Sequence, residues 1–252
     1  MANFFKDNDD LRYYFDKGID WDTLVRTTEH EFADAEGDGF SSTEEAVGFY
    51  RDIVEMFGEF VAAEIKPYEK EIDEKGVELV DGEVVFPERL AGIFEKIQDL
   101  DLHGLTVPRE LGGMNAPMMV YFLNSEMMAR ADVSAMAHHG FHGGIAMAAL
   151  VFSALEGSSD VDPTTGRIND TRWKDVISEI ASGEAWGCMD ITEPDAGSDM
   201  AALRAVGEQD EDGNWYVTGE KIFITSGHGK YHFVIARTEE TDPDDPMSGL
   251  SG

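Results

Sequence analysis

Apolar residues recur at three- and four-residue intervals through most of the chain, and only toward its end does the interval shorten to two. Val47, Phe49, Tyr50, Ile53, Val54, Phe57, Phe60, Val61 and Ile65 form one stripe. That stripe predicts an amphipathic helix, opened by Thr43 as cap and ended by Pro67. Pro87 opens a second helix, with Leu90, Ile93, Phe94, Ile97 and Leu100 on one face. Two further helices, rich in Ala and Met, are predicted at about 117–130 and 133–155. The Gly, Ser, Asp, Pro and Thr of 156–170 predict a surface loop. A last helix over about 171–181 is followed by Gly183. Residues 1–42 are polar and acidic but carry Phe4, Phe5, Tyr13, Tyr14, Phe15 and Trp21. They read as a leader with a short helix, draped on a larger body, with a turn-rich loop at 34–39.

After residue 185 the period changes. Trp215–Val217, Ile222–Thr225 and His232–Ala236 are short β-prone runs, and the acidic Gly/Asn stretch before Trp215 reads as a hairpin loop. The chain therefore divides into a leader (1–42), a helical domain (43–185) and a β domain (186–252). The fold class is α+β, an all-α domain followed by an antiparallel β-barrel that looks incomplete. Four or five strands ending in the loop-like Ser248–Gly252 would leave bare sheet edges, so further strands are expected from sequence beyond these residues.

Charge narrows the partners. Acidic residues outnumber basic ones 52 to 19, for a net charge of −33. Nucleic acid and anionic membrane surfaces are excluded as partners, because both need basic clusters. The acidity reads either as a solvated surface that resists aggregation or as adaptation to high salt, where screening relieves self-repulsion. No apolar run is long enough to cross a membrane, and the first residues resemble no secretory signal. The single cysteine, Cys188, can form no internal disulfide, and a cytoplasmic location is expected.

The chemistry concentrates in the β part. Ala196-Gly197-Ser198 follows a β-prone run with small residues, so the backbone there can approach a phosphate and Ser198 offers hydroxyl and amide donors. His138, His139 and His142 include an i, i+4 pair, but no neighbouring carboxylate completes a ligand set, and no metal is expected. No Gly-x-Gly-x-x-Gly follows a strand, no P-loop surrounds Gly229-Lys230, and no Gly-x-Ser-x-Gly elbow occurs.

Thr192-Glu-Pro-Asp-Ala-Gly-Ser-Asp199 resembles the TEPxAGSD signature of acyl-CoA dehydrogenases. Gly213–Ser226 is similar to the family's segment ending in "K.wIt", and Phe233–Arg237 to its next strand. Thr106–Gly113 resembles the "VPeeyGG" loop, and Ser182-Gly-Glu184 the "GE" ahead of the signature. The resemblance spans about residues 45–252, and the leader and the 156–170 insertion are closer to the longer bacterial branch. It implies an oxidoreductase of fatty acid metabolism that uses FAD. Ile191, Thr192, Gly197, Ser198, Phe223, Ile224 and Thr225 would contact the flavin, Ser198 at the pyrophosphate and Thr225 near N5. Phe223 stands where the family usually has tryptophan, which keeps the packing face and loses the indole donor. Ser198 and His142 would border the acyl-CoA substrate.

The implied reaction removes an α-proton with a carboxylate base and passes the β-hydrogen to flavin N5, giving a 2-enoyl-CoA; electron transfer flavoprotein reoxidises the FAD. The family's base is a glutamate of its carboxy-terminal helical domain, so no residue in 1–252 is assigned as catalytic. A homodimer or homotetramer is implied for the complete enzyme. An acyl-CoA oxidase, a nitroalkane-oxidase-like flavoenzyme, or a non-catalytic subunit paired with a second chain are the alternatives.

Overall fold

The computed structural model describes residues 2–252, which separate into two compact units, the first reaching to Ala185 and the second covering Trp186–Gly252.

The first unit is helical at its core. Helix α1 (Asp9–Tyr13) is capped by Asn8, and α2 (Trp21–Thr28) by Asp20. Between them the chain turns Phe15 fully inward. Phe5 packs edge-on against Phe15, which continues through Trp21 to Tyr50 on α3 (Thr43–Phe60). Phe5, Leu11, Phe15 and Tyr50 are all buried, so the amino-terminal segment builds core instead of draping over it. Its aromatic residues supply the apolar area that makes this association stable.

The stripe on α3 points Tyr50, Ile53, Val54 and Phe57 inward, as its spacing predicts. Ser42, not Thr43, caps this helix, accepting from the Glu45 amide; the Thr43 hydroxyl instead donates to Asp22 Oδ1 at 2.8 Å. Pro67 does not stop the chain's helical course. A wide turn at Val61–Ile65 and a tight one at Lys66–Tyr68 lead into α4 (Glu69–Lys75). In those first turns proline's missing N–H costs nothing.

The hairpin β1 (Glu78–Val80) and β2 (Glu83–Val85) turns on Asp81-Gly82, both at positive φ. Pro87 precedes α5 (Glu88–Asp99), and α6 (Met118–Ala131) and α7 (Val133–Leu155) follow. The 156–170 tract contains a second hairpin, β3 (Ser159–Val161) with β4 (Ile168–Thr171), rather than only loop. Its polar composition hid the strands, which are largely exposed. Helix α8 (Lys174–Ala181) closes the unit, and Gly183 sits at φ +77° beyond it.

The second unit holds β5 (Gly187–Asp190), β6 (Val206–Gln209), β7 (Trp215–Thr218), β8 (Tyr231–Val234), β9 (Ala236–Arg237) and β10 (Leu250–Ser251). β6 and β7 form the expected hairpin around Asp210–Asn214. The order β10-β9-β6-β7 makes one sheet, and β5 with β8 another, so no barrel closes among the described residues. Two pairings, β5 with β8 and β6 with β9, are parallel where antiparallel ladders were expected. Alternation along a strand reports which face is buried and carries no information on the direction of its partner. Two expectations are corrected here. Leu250–Ser251 is a strand paired to β9, and Ile222–Thr225 is not a strand.

Candidate functional site

β5 delivers the chain to Ile191 and Thr192, both half-buried, and the signature turn begins at once. Glu193 and Ala196 exchange both backbone hydrogen bonds, at 2.9 and 3.1 Å, which closes a tight turn over Pro194-Asp195. Proline's fixed φ suits the turn's second position. The Glu193 carboxylate then points inward. It accepts the amides of Arg204 (2.7 Å) and Ala205 (2.9 Å) and the ammonium of Lys221 (2.8 Å). Burial by itself would raise its pKa, but Lys221 and the two amides outweigh that and hold it below the usual carboxylate value.

Lys221 has a second task. Its ammonium donates to the Ile191 carbonyl at 3.0 Å, and the next amide, Ile222 N–H, donates to the Thr192 carbonyl at 2.9 Å. The head of the 222–225 run is thereby fastened alongside the signature. Residues some thirty positions apart in sequence, Ile191 and Thr192 on one side and Lys221 and Ile222 on the other, become neighbours.

Past Ile222 the chain leaves extended geometry. Phe223 has φ +58° and Ser226 φ +61°, and two turns follow in which Gly227 bonds back to Ile224 and Gly229 to Ser226. A left-handed conformation at a bulky residue costs about 1–2 kcal/mol. It throws the Phe223 ring outward to 89% exposure. The β-branched composition concealed this, because the hydrogen bond to Thr192 anchors only the first residue of the run and no ladder continues.

Gly197 and Ser198 are exposed, and a Cβ built on Gly197 would meet nothing within 4 Å. The chain's own packing does not require glycine at that position. No hydrogen bond among the described residues uses the amides of Gly197 and Ser198 or the Ser198 hydroxyl. Three donors on an open turn fit a phosphate group.

In the helical unit, His142 is fully buried on α7. Its ring meets His103 at 4.5 Å between centroids, and His103 in turn meets His139 at 5.2 Å. His138 turns the other way, onto Phe86 and Phe94. Burial, with repulsion among the rings adding to it for His139 and His142, drives these pKa values down, to about 4 for His103, about 3 for His139 and about 2 for His142. A mostly apolar cavity of about 480 Å³, counting its open mouth, lies beside them. Its walls include His103, Tyr121, His139, Gly143, Gly144 and Met147. His142 does not line it; the glycines after His142 do.

Glu193 and Lys221 were given no role by sequence. A lysine beside the apolar run 222–224 was the one available signal. Cys188, Asp190 and His232, brought together across β5 and β8, were also missed.

Residues 50–156 match the family described as acyl-CoA dehydrogenase, N-terminal domain, and residues 188–251 match acyl-CoA dehydrogenase, middle domain. The chain belongs to the acyl-CoA dehydrogenase family. It is 31% identical over 208 residues to the 3-methylmercaptopropionyl-CoA dehydrogenase of Ruegeria pomeroyi, covering 80% of this chain and 32% of that protein. In fold it is similar to an acyl-CoA dehydrogenase from Geobacillus kaustophilus, with TM-score 0.60 and 22% identity over 82% of this chain and 47% of the other. An acyl-CoA dehydrogenase from Bacillus anthracis complexed with FAD gives TM-score 0.54 and 21% identity, covering 76% of this chain and 29% of that one. The chain thus spans about a third of the Ruegeria protein's length and about half of the Geobacillus structure. Among the described residues, no helix is long and apolar enough to cross a membrane.

Proposed function

We propose that this chain provides the flavin-contacting part of an enzyme that dehydrogenates an acyl-CoA thioester to a 2-enoyl-CoA, with electrons passing to electron transfer flavoprotein. The observation that carries this reading is the fastening of Lys221 and Ile222, at the head of the 222–225 run, to Ile191, Thr192 and Glu193 of the signature. It sets beside one another the two stretches that the family resemblance assigns to the flavin. FAD, when bound, supplies the hydride acceptor. Ser198 and the amides of Gly197 and Ser198 hold its pyrophosphate, a task suited to open donors on a turn. Thr192 and Thr225 hydrogen-bond the ring system, and the exposed Phe223 ring packs on its face, which repays the left-handed strain. Ile191 and Ile224 complete the apolar contact. The acyl chain takes the cavity beside Gly143 and Gly144, and His142 supports that wall from behind.

No residue of this chain is assigned as the base. Glu193 is tied in place by three donors that hold its pKa below the usual carboxylate value, which suits a structural anchor and not a general base. FAD titration of the protein tests the reading. Ser198→Ala and Thr192→Ala should each weaken FAD, and unchanged affinity in both would reject the assignment. Acyl-CoA added anaerobically to the 252-residue chain alone should leave any bound flavin oxidised. Bleaching at an enzyme-like rate would place the base within these residues.

A further inference from the structure

The parallel pairing of β5 with β8 sets Cys188 directly opposite His232. Asp190 lies two residues beyond Cys188 and so on the same face of the strand. Three side chains of metal-ligating type therefore project from one face of a two-stranded sheet, and their ligand atoms lie within 4.8 Å of one another. Cys188 and Asp190 are buried, whereas the His232 side chain remains 39% exposed.

The three side chains are in direct polar contact. His232 Nδ1 is 2.8 Å from Asp190 Oδ2 and 3.1 Å from Cys188 Sγ, while Sγ is 3.4 Å from Asp190 Oδ1. With the metal absent, the thiol donates to Asp190 Oδ1 and a protonated Nδ1 to Oδ2, so both partners converge on one carboxylate. A cation at about 2.0–2.3 Å from sulfur, nitrogen and oxygen would serve all three together.

We propose that Cys188 Sγ, the Asp190 carboxylate and His232 Nδ1 form a binding site for a divalent transition-metal ion of the zinc class. The mixed sulfur, nitrogen and oxygen set is one that zinc and cobalt accept, whereas calcium and magnesium prefer oxygen alone. The exposure of His232 would let water complete the ligand set. In the absence of metal a cysteine thiol keeps its proton at neutral pH. Binding then forms bonds from sulfur, Nδ1 and a carboxylate oxygen to the cation, and releases the thiol proton to solvent. The consequence is mechanical: an isolated parallel pair is weakly held, and a cation bridging Cys188 and Asp190 to His232 staples the strand that leads into the signature turn.

The test is cobalt(II) titration of the chelator-treated chain in high salt, which suppresses diffuse binding to the acidic surface. A near-ultraviolet thiolate-to-cobalt charge-transfer band should grow to one equivalent, release about one proton per ion and be displaced by zinc. Zinc should also raise the melting temperature. Cys188→Ser should abolish the band. His232→Gln alters a half-exposed side chain that the fold tolerates, and should weaken the affinity at least about tenfold. Absence of the band, or a band and affinity unchanged in His232→Gln, would overturn the site. Both readouts are independent of FAD, so the flavin assignment and this one fail separately.

Discussion

Glu193 and Lys221 form a buried ion pair, 2.8 Å between Oε1 and Nζ, with the two side chains 7% and 12% exposed. The carboxylate also binds two backbone amides and the ammonium one carbonyl, so the pair is a knot that fixes backbone. Removing one partner strands the other. Lys221→Met should cost about 3–5 kcal/mol in urea unfolding of the protein. It should also weaken FAD, because segment 221–225 loses its anchor. Loss of less than 1 kcal/mol, roughly the worth of a surface pair, would show that the knot is not what holds the turn.

On the proposed flavin assignment, Ser198 and Thr225 separate binding from chemistry. Ser198→Ala should then lose a charge-assisted hydrogen bond of about 1.5–3 kcal/mol, and FAD affinity should fall about ten- to a hundredfold in a fluorescence titration. Thr225→Val should slow flavin reduction in anaerobic rapid mixing more than it weakens acyl-CoA binding, since a bond to N5 strengthens as charge develops there. An effect confined to acyl-CoA affinity would move Thr225 away from N5.

His103 and His142, both buried, and the half-buried His139 make the helical unit acid-labile. Their folded pKa values lie below the ordinary 6.5, at about 4 for His103, about 3 for His139 and about 2 for His142. The unfolded chain therefore binds protons that the folded chain refuses. Stability is complete above pH 6.5 and falls as pH drops toward 4, by about 1.4 kcal/mol per unit for each histidine. His139→Asn should flatten that slope by about one proton relative to the parent, in urea unfolding between pH 6.5 and 5. The comparison cancels the carboxylates common to both proteins. An unchanged slope would mean that His139 reaches solvent.

Gly58 is where the amino-terminal segment crosses α3. The Phe4 amide donates to the Gly58 carbonyl at 3.0 Å, and a Cβ on Gly58 would overlap Asn3 Oδ1 and approach the Phe5 nitrogen to 2.7 Å. Gly58→Ala would favour an isolated helix, yet here it should destabilise by about 1–3 kcal/mol. Trp21, whose indole donates to the Phe15 carbonyl, should report the displacement by fluorescence. A gain in stability would show that the segment docks without that contact.

The net charge of −33 carries its own test. Molar potassium chloride should raise the melting temperature over dilute buffer, by screening self-repulsion. A flat response would leave the acidity as a solubility device alone.

The sequence by itself determined the helical stripes, the α+β class, the β6–β7 hairpin and, through the TEPDAGSD run, the family. Those features are local: a period, a turn composition or a short motif is complete within a few residues. It misplaced what depends on partners distant in sequence. The 222–225 run has every β-forming residue, yet its course is set by Lys221 and Ile222 bonding to Ile191, Glu193 and Thr192, after which Phe223 turns left-handed. The leader looked peripheral because it is polar on average, but Phe5, Leu11 and Phe15 are buried, and Phe15 reaches Tyr50 through Trp21. Cys188, Asp190 and His232 share no motif, and only the parallel register of β5 on β8 gathers them. Pairing direction and register are fixed by long-range hydrogen bonds and burial, which the order of residues along a single strand does not contain.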